Sequence, residues 1–194
     1  MAYCCIHALN SVMQLDRVKV WSRNAERREA FAGRISKELN LEVLPTGTAE
    51  ECVRDTKVVV TVTNATKPFL QKEWFAPGVF IYAMGNNQEV DIDTYLDMTF
   101  IGDEKDQVKI CPDISELMRS GILSEDNIYG DLPEVIGNAA KRRKSPDEQI
   151  IVRSQGLVTQ DIAQAYWIYK KALAENIRVD LEPYLIDQVG QPLF

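Results

Sequence analysis

The sequence predicts an α/β fold, a parallel sheet with helices on both faces. Residues 57–63 (Lys-Val-Val-Val-Thr-Val-Thr) and 79–84 are short, apolar and rich in β-branched residues, as strands buried on both faces of a parallel sheet are. Between such runs lie segments whose apolar residues recur at helical spacing, the alternation of strand–helix–strand units. A further short strand, residues 17–22, feeds straight into a helix through Asn24, a residue suited to capping it.

Taken in order, residues 2–14 place Ile6, Leu9 and Met13 on one side of an opening helix. After the strand 17–22, Asn24 caps a second helix on which Phe31, Ile35 and Leu39 recur every four residues. Residues 41–44 form a short strand and 45–47 a turn. Thr48-Ala-Glu-Glu51 is a capping box that opens a helix to about Arg54. The strand 57–63 follows, then the Pro77-Gly78 turn, the strand 79–84 ended by Gly85, and a third run at 98–101. From Pro112 the pattern changes to short helices around 114–119 and 132–138, a basic loop, and a strand at 149–153. A long helix at 159–175 carries Ile162, Ala165, Tyr166, Tyr169 and Leu173 on its packing side. Residues 178–194, with two prolines and a glycine, receive no element. There is no internal repeat.

The 194 residues carry a net charge of −7, which repels nucleic acid and anionic membrane surfaces and argues against either as partner. No apolar run reaches the length of a membrane span, no signal peptide opens the chain, and a cytoplasmic location is expected. The four cysteines lack metal-finger or Cys-x-x-Cys spacing and read as reduced thiols. His7 is the single histidine, so neither a His-based zinc site nor a serine triad can be assembled from these residues. Glu89, Asp91 and Asp93 alternate, but carboxylates suit the start of the next helix, and no metal site is expected. Lys141-Arg142-Arg143-Lys144 reads as a solvated loop in an acidic chain.

The informative stretch is 17–24, Arg-Val-Lys-Val-Trp-Ser-Arg-Asn. In a dinucleotide-binding βαβ unit the end of the second strand meets the adenine-side ribose. An acidic residue there selects NAD, whereas an arginine accommodates the extra phosphate of NADP. Ser22 and Arg23 with no carboxylate therefore favour NADP(H) over NAD(H). Ligands of open α/β sheets bind beyond the carboxyl ends of the strands, where Thr63 and Asn64 fall. The strand and glycine-rich turn that begin such a unit are not in the sequence. The expectation is either further sequence upstream of Met1 or a truncated product.

Several segments in order carry a family resemblance: Val-Trp-Ser-Arg-Asn, Val-Val-Val-Thr-Val-Thr-Asn, and Pro-Gly-Val-Phe-Ile-Tyr-Ala-Met-Gly followed by Gln-Glu-Val-Asp. Leu-Pro-Glu-Val-Ile-Gly and Arg-Ser-Gln-Gly-Leu-Val-Thr-Gln-Asp-Ile-Ala-Gln-Ala complete the series. From Met1 to about Ile177 the chain resembles the ornithine cyclodeaminase/mu-crystallin family, Ala2 resembling the residue that closes that family's glycine-rich turn. The resemblance implies a Rossmann-like domain over residues 1–150, lacking its first strand and glycine-rich turn. It also implies that residues 151–194 are C-terminal segments of a second α/β domain for substrate binding and dimerisation.

The implied activity is hydride transfer between NAD(P) and the α-carbon of a small amino or imino acid, most simply reduction of a cyclic ketimine with NADPH, by a protein that is a homodimer when complete. The alternatives are ornithine cyclodeamination proper, a non-catalytic ligand-binding protein, or a remnant that needs an N-terminal partner. By the same resemblance Ser22, Arg23 and Asn24 hold the adenosine 2′-phosphate, and Thr61, Thr63 and Asn64 line the dinucleotide. Met84 and Gly85 approach the nicotinamide, and Gln155 and Gly156 lie beside nicotinamide and substrate. Asn87 stands where the cyclodeaminase has its proton-transferring aspartate. An amide is no general base at neutral pH, which favours a reductase.

Overall fold

The computed structural model describes residues 1–85 and 88–177, divided into a compact unit over Met1–Gly156 and a second unit that begins at Leu157. The first unit opens with α1 (Ala2–Val12), β1 (Arg17–Val20), α2 (Ala25–Leu39), β2 (Glu42–Pro45) and α3 (Ala49–Val53). It continues with β3 (Val58–Thr61), β4 (Phe80–Ala83), α4 (Ile92–Asp97), β5 (Thr99–Gly102), α5 (Lys105–Lys109) and α6 (Pro112–Arg119). β6 (Ile128–Asp131), α7 (Leu132–Gly137) and β7 (Ile150–Arg153) complete it. The second unit contributes α8 (Val158–Ala174).

Among the described residues every strand pairing is parallel, and the strands fall into two sheets: β1-β2, and β3-β4-β7-β5-β6. Among the described residues no strand joins β1 to β3. Each sheet has its own core. Ile6 of α1 and Ala32 and Ile35 of α2 close over Leu41 and Val43, with Val18, Val20, Phe31 and Leu39 at the margin. In the larger sheet, successive side chains of one strand go to opposite faces. Val59, Ile81, Phe100 and Ile151 pack on one face with Val53, Tyr95, Val108, Ile114 and Leu117 of the helices. Ile101, Ile150 and Val152 pack on the other beside Leu132 and Val135 of α7. The α/β class with helices on both faces is as the sequence predicts. Trp21, just past β1, packs against the core of the larger sheet, its ring 5.5 Å from that of Phe69.

Local signals explain the element ends. The side chain of Asn24 accepts from the Arg27 amide at 2.8 Å, and Thr48 with Glu51 completes a reciprocal capping box. Asp91 caps α4 by accepting from the Thr94 amide at 3.1 Å. Lys19 reaches from β1 to the carbonyls of Glu51 and Arg54 at 3.1 and 2.7 Å, placing a cation on the last turn of α3. At the Pro77-Gly78 turn Gly78 has φ +74°, and a Cβ there would stand 2.2 Å from the Pro146 carbonyl oxygen, so only glycine fits.

One expectation changes, and one strand appears where none was assigned. The strand 149–153, assigned with residues 151–194 to a second domain, is instead the middle strand of the five, between β4 and β5. The first unit accordingly runs to Gly156 rather than ending at 150. Its sequence, Ile-Ile-Val-Arg, is buried throughout, as a central parallel strand requires. β6, Ile-Tyr-Gly-Asp, joins two strand-favouring residues to two that disfavour strands, and edge pairing to β5, with a register shift at Phe100/Ile101, supplies its hydrogen bonds. On α8, Ile162, Tyr166, Tyr169 and Leu173 are at least half exposed, together with Trp167 and Ile168. Residues 178–194 lie outside the described residues.

Ile151 is fully buried in the middle strand. Ile151→Ala is expected to destabilise the chain by about 2–5 kcal/mol in denaturant unfolding, the cost of a core cavity. A loss under about 1 kcal/mol would contradict the central placement of β7.

Candidate functional site

All strands of a parallel sheet point their carboxyl ends the same way, so the loops that follow them line one edge. In the small sheet this edge holds Ser22 to Asn24. The Ser22 hydroxyl donates to the Asn24 carbonyl at 3.1 Å, and Arg28 donates to the Ser22 carbonyl at 2.8 Å, so the turn is tied down on both sides. Asn24 spends its side-chain oxygen on the helix cap. Arg23 and Arg27 are exposed and carry no side-chain hydrogen bond or ion pair among the described residues. Two unpaired guanidinium groups at the start of a helix, with no acidic residue between strand and cap, suit a phosphate-bearing ligand. The residues present therefore fit the adenosine end of a nicotinamide dinucleotide.

In the large sheet two buried carboxylates organise the edge. Glu89, 2% exposed, accepts from the Thr61 hydroxyl, the Thr63 amide at 2.7 Å and the Gly85 amide at 2.9 Å. Its own carbonyl accepts from the Phe69 and Leu70 amides, both at 3.1 Å. Asp103, 1% exposed, accepts on one oxygen from the Ser154 hydroxyl at 3.0 Å and from the Gln155 and Gly156 amides at 2.7 and 2.8 Å. Its other oxygen takes the Glu104 amide at 2.9 Å. Thr61, Thr63 and Gly85 are thus brought together on Glu89, and Gln155 and Gly156 on Asp103. Met84 sits with the Cys5 sulfur 3.9 Å from its own, which brings the first turn of α1 to the end of β4. Asn64 is exposed beside Thr63. Asn87 lies outside the described residues.

Beneath these loops Arg153, 1% exposed, makes a two-pronged pair with Asp113, its Nε and Nη2 each 3.0 Å from a carboxylate oxygen. Nη1 donates to the Ser154 carbonyl at 2.8 Å and to that of Ala83 at 3.4 Å. The Tyr95 hydroxyl donates to Asp113 at 3.3 Å. Burial, with the Asp113 charge adding to it, pushes Tyr95 well above the ordinary phenol range. Burial likewise pushes the Cys111 thiol up to about 11.

The sequence did not point to Arg153, Asp113 or Asp103 as parts of the site, and it assigned Glu89 with Asp91 and Asp93 to a helix start. Asp91 has that role, whereas Glu89 turns back into the sheet edge. Asp103 follows directly on an apolar strand, and that position was the one available signal. No group of three or more potential metal ligands occurs among the described residues.

A parallel sheet with helices on both faces and a row of tethered loops at the carboxyl ends of its strands defines a Rossmann-like domain. The model of the ornithine cyclodeaminase/mu-crystallin family matches residues 1–176, and the chain belongs to that family. It is 28% identical over 181 residues to the alanine dehydrogenase of Archaeoglobus fulgidus, covering 91% of this chain and 55% of that protein. It is 25% identical over 181 residues to a Delta(1)-pyrroline-2-carboxylate reductase of Bacillus cereus, covering 90% of this chain and 55% of that protein. A solved archaeal alanine dehydrogenase dimer with bound NAD shares its fold with a TM-score of 0.83 at 27% identity, over 92% of this chain and 56% of that one. The chain spans about half the length of the curated relatives it matches. No helix among the described residues is long and apolar enough to cross a membrane.

The Cys111 thiol generates a pH prediction. Unfolded, it loses its proton near 9.0; folded, near 11. Between those values the folded chain holds more protons, so stability falls as pH rises, and the raised Tyr95 acts in the same direction. The denaturation midpoint is expected to drop from pH 9 to pH 11 and to drop less in Cys111→Ala. An equal drop in both proteins would remove Cys111 from the account.

Proposed function

We propose that the chain is the nucleotide-binding portion of an oxidoreductase that reduces a cyclic ketimine or other α-imino acid with NADPH, or oxidises the matching amino acid. The observation that carries this reading is the Arg23–Arg27 pair, unpartnered at the carboxyl end of β1, in a member of a family whose relatives include an alanine dehydrogenase and a pyrroline-2-carboxylate reductase. By their names the one acts on alanine and the other on pyrroline-2-carboxylate, each with nitrogen and a carboxylate on the same carbon. In the reducing direction a hydride passes from the nicotinamide to the imine carbon and a proton is taken up on nitrogen.

In this reading Ser22, Arg23 and Asn24, joined by Arg27, receive the adenosine 2′-phosphate. The ends of β3 and β4, at Thr61, Thr63, Asn64, Met84 and Gly85, run beneath the dinucleotide. Gln155 and Gly156 stand at the nicotinamide and substrate end. Their amides are already spent on Asp103, so they meet a ligand through carbonyl oxygens and the exposed Gln155 side chain, not as an anion cradle. A homodimer is the assembly proposed for the whole protein, as in the solved archaeal dehydrogenase. A cytoplasmic location accords with four free cysteines.

Titration of the chain with NADPH and NADH tests the phosphate assignment. Loss of a charge-assisted bond of about 1.5–3 kcal/mol should make Arg23→Ala bind NADPH roughly tenfold to a hundredfold more weakly while NADH changes less than about twofold. Equal weakening of both nucleotides would overturn it.

A further inference from the structure

The Glu89 carboxylate touches no cation among the described residues, yet it is buried at the edge where ligand is proposed to bind. Its partners are a hydroxyl and two main-chain amides, drawn from the ends of two neighbouring strands. Neither the Thr63 nor the Gly85 amide has another acceptor among the described residues. A buried carboxylate without those donors would be strongly disfavoured, so its burial and the inward turn of the two amides require each other.

Gly85 shows how closely the group is seated. A Cβ on Gly85 would stand 2.3 Å from the carboxyl carbon of Glu89 and 2.5–2.6 Å from its oxygens. The glycine is therefore explained by the approach of Glu89, without any ligand. From the donor pattern and this contact we infer that Glu89 is a positioning residue for the dinucleotide site. It holds the segments after β3 and β4 in one fixed relation, so that the surface they offer the nicotinamide half of the nucleotide is set before binding.

This assignment rests on the proposed function for its ligand, but its geometry stands alone, and one experiment separates the two. Binding of NADPH and of adenosine 2′,5′-bisphosphate, which has the phosphate end only, is measured for the wild-type chain and for Glu89→Gln. Amide exchange is followed at Thr63 and Gly85. An amide side chain cannot accept from donors on both sides, so one main-chain N–H loses its partner. The expected result is at least tenfold weaker NADPH binding, bisphosphate binding within twofold of wild type, and faster exchange than in wild type at either Thr63 or Gly85, with core amides such as Ile151 unchanged.

Unchanged NADPH binding by Glu89→Gln overturns the inference, as does a proportional loss of both ligands, which marks a general role in stability. A wild-type chain that binds neither ligand overturns the proposed function instead. Exchange then decides the tether alone, and unchanged protection at Thr63 and Gly85 overturns it. Should Glu89→Gln fail to fold, Thr61→Val removes one donor and leaves the carboxylate in place. NADPH binding about threefold or more weaker, with bisphosphate binding kept, supports the inference, and no change in either overturns it.

Discussion

A permanently charged side chain in the middle of a parallel sheet has to be answered where it lies. Arg153 ends the middle strand β7, buried at 1% exposure, and the answer comes from Asp113 at the first turn of α6. Breaking such a pair leaves an uncompensated charge in the interior, a loss of about 3–5 kcal/mol in comparable cases. The remaining guanidinium donors go to the Ala83 and Ser154 carbonyls, and Tyr95 of α4 adds its hydroxyl to Asp113. One ion pair thus ties β7, β4, α4 and α6 together directly beneath the loops of the candidate site.

Above that pair the strand ends are ordered by Glu89 and Asp103. Main-chain amides at the carboxyl edge of a parallel sheet are natural partners for anions. Here four of them, from Thr63, Gly85, Gln155 and Gly156, are already satisfied by the protein's own carboxylates. The large sheet therefore offers side chains and carbonyl oxygens at these points, while unpaired positive charge gathers at Arg23 and Arg27 beyond β1.

The two sheets with separate cores give the edge its breadth. α1 and α2 cover β1-β2, and the contacting Trp21 and Phe69 rings, tilted by 30°, bring the end of β1 against the segment following β3. Lys19 adds a second tie by reaching across to α3.

Much of this was legible in the sequence because it depends on near neighbours. The caps at Asn24, Thr48 and Asp91 join residues three apart, and helical or β-branched periodicity marks nearly every element within its own length. The arginine after β1 was readable for the same reason, since strand end and helix start are adjacent. The tertiary structure alone decided that residues 150–153 enter the middle of the sheet, that Ile-Tyr-Gly-Asp becomes an edge strand, and that Glu89 turns away from the helix it precedes. It also paired Arg153 with Asp113, and Asp103 with Gln155. Those partners lie 40 and 52 residues apart, where the return of the chain sets the distance and no local spacing records it. A buried carboxylate and an exposed one look alike in sequence, and only the donors that folding brings to them tell them apart.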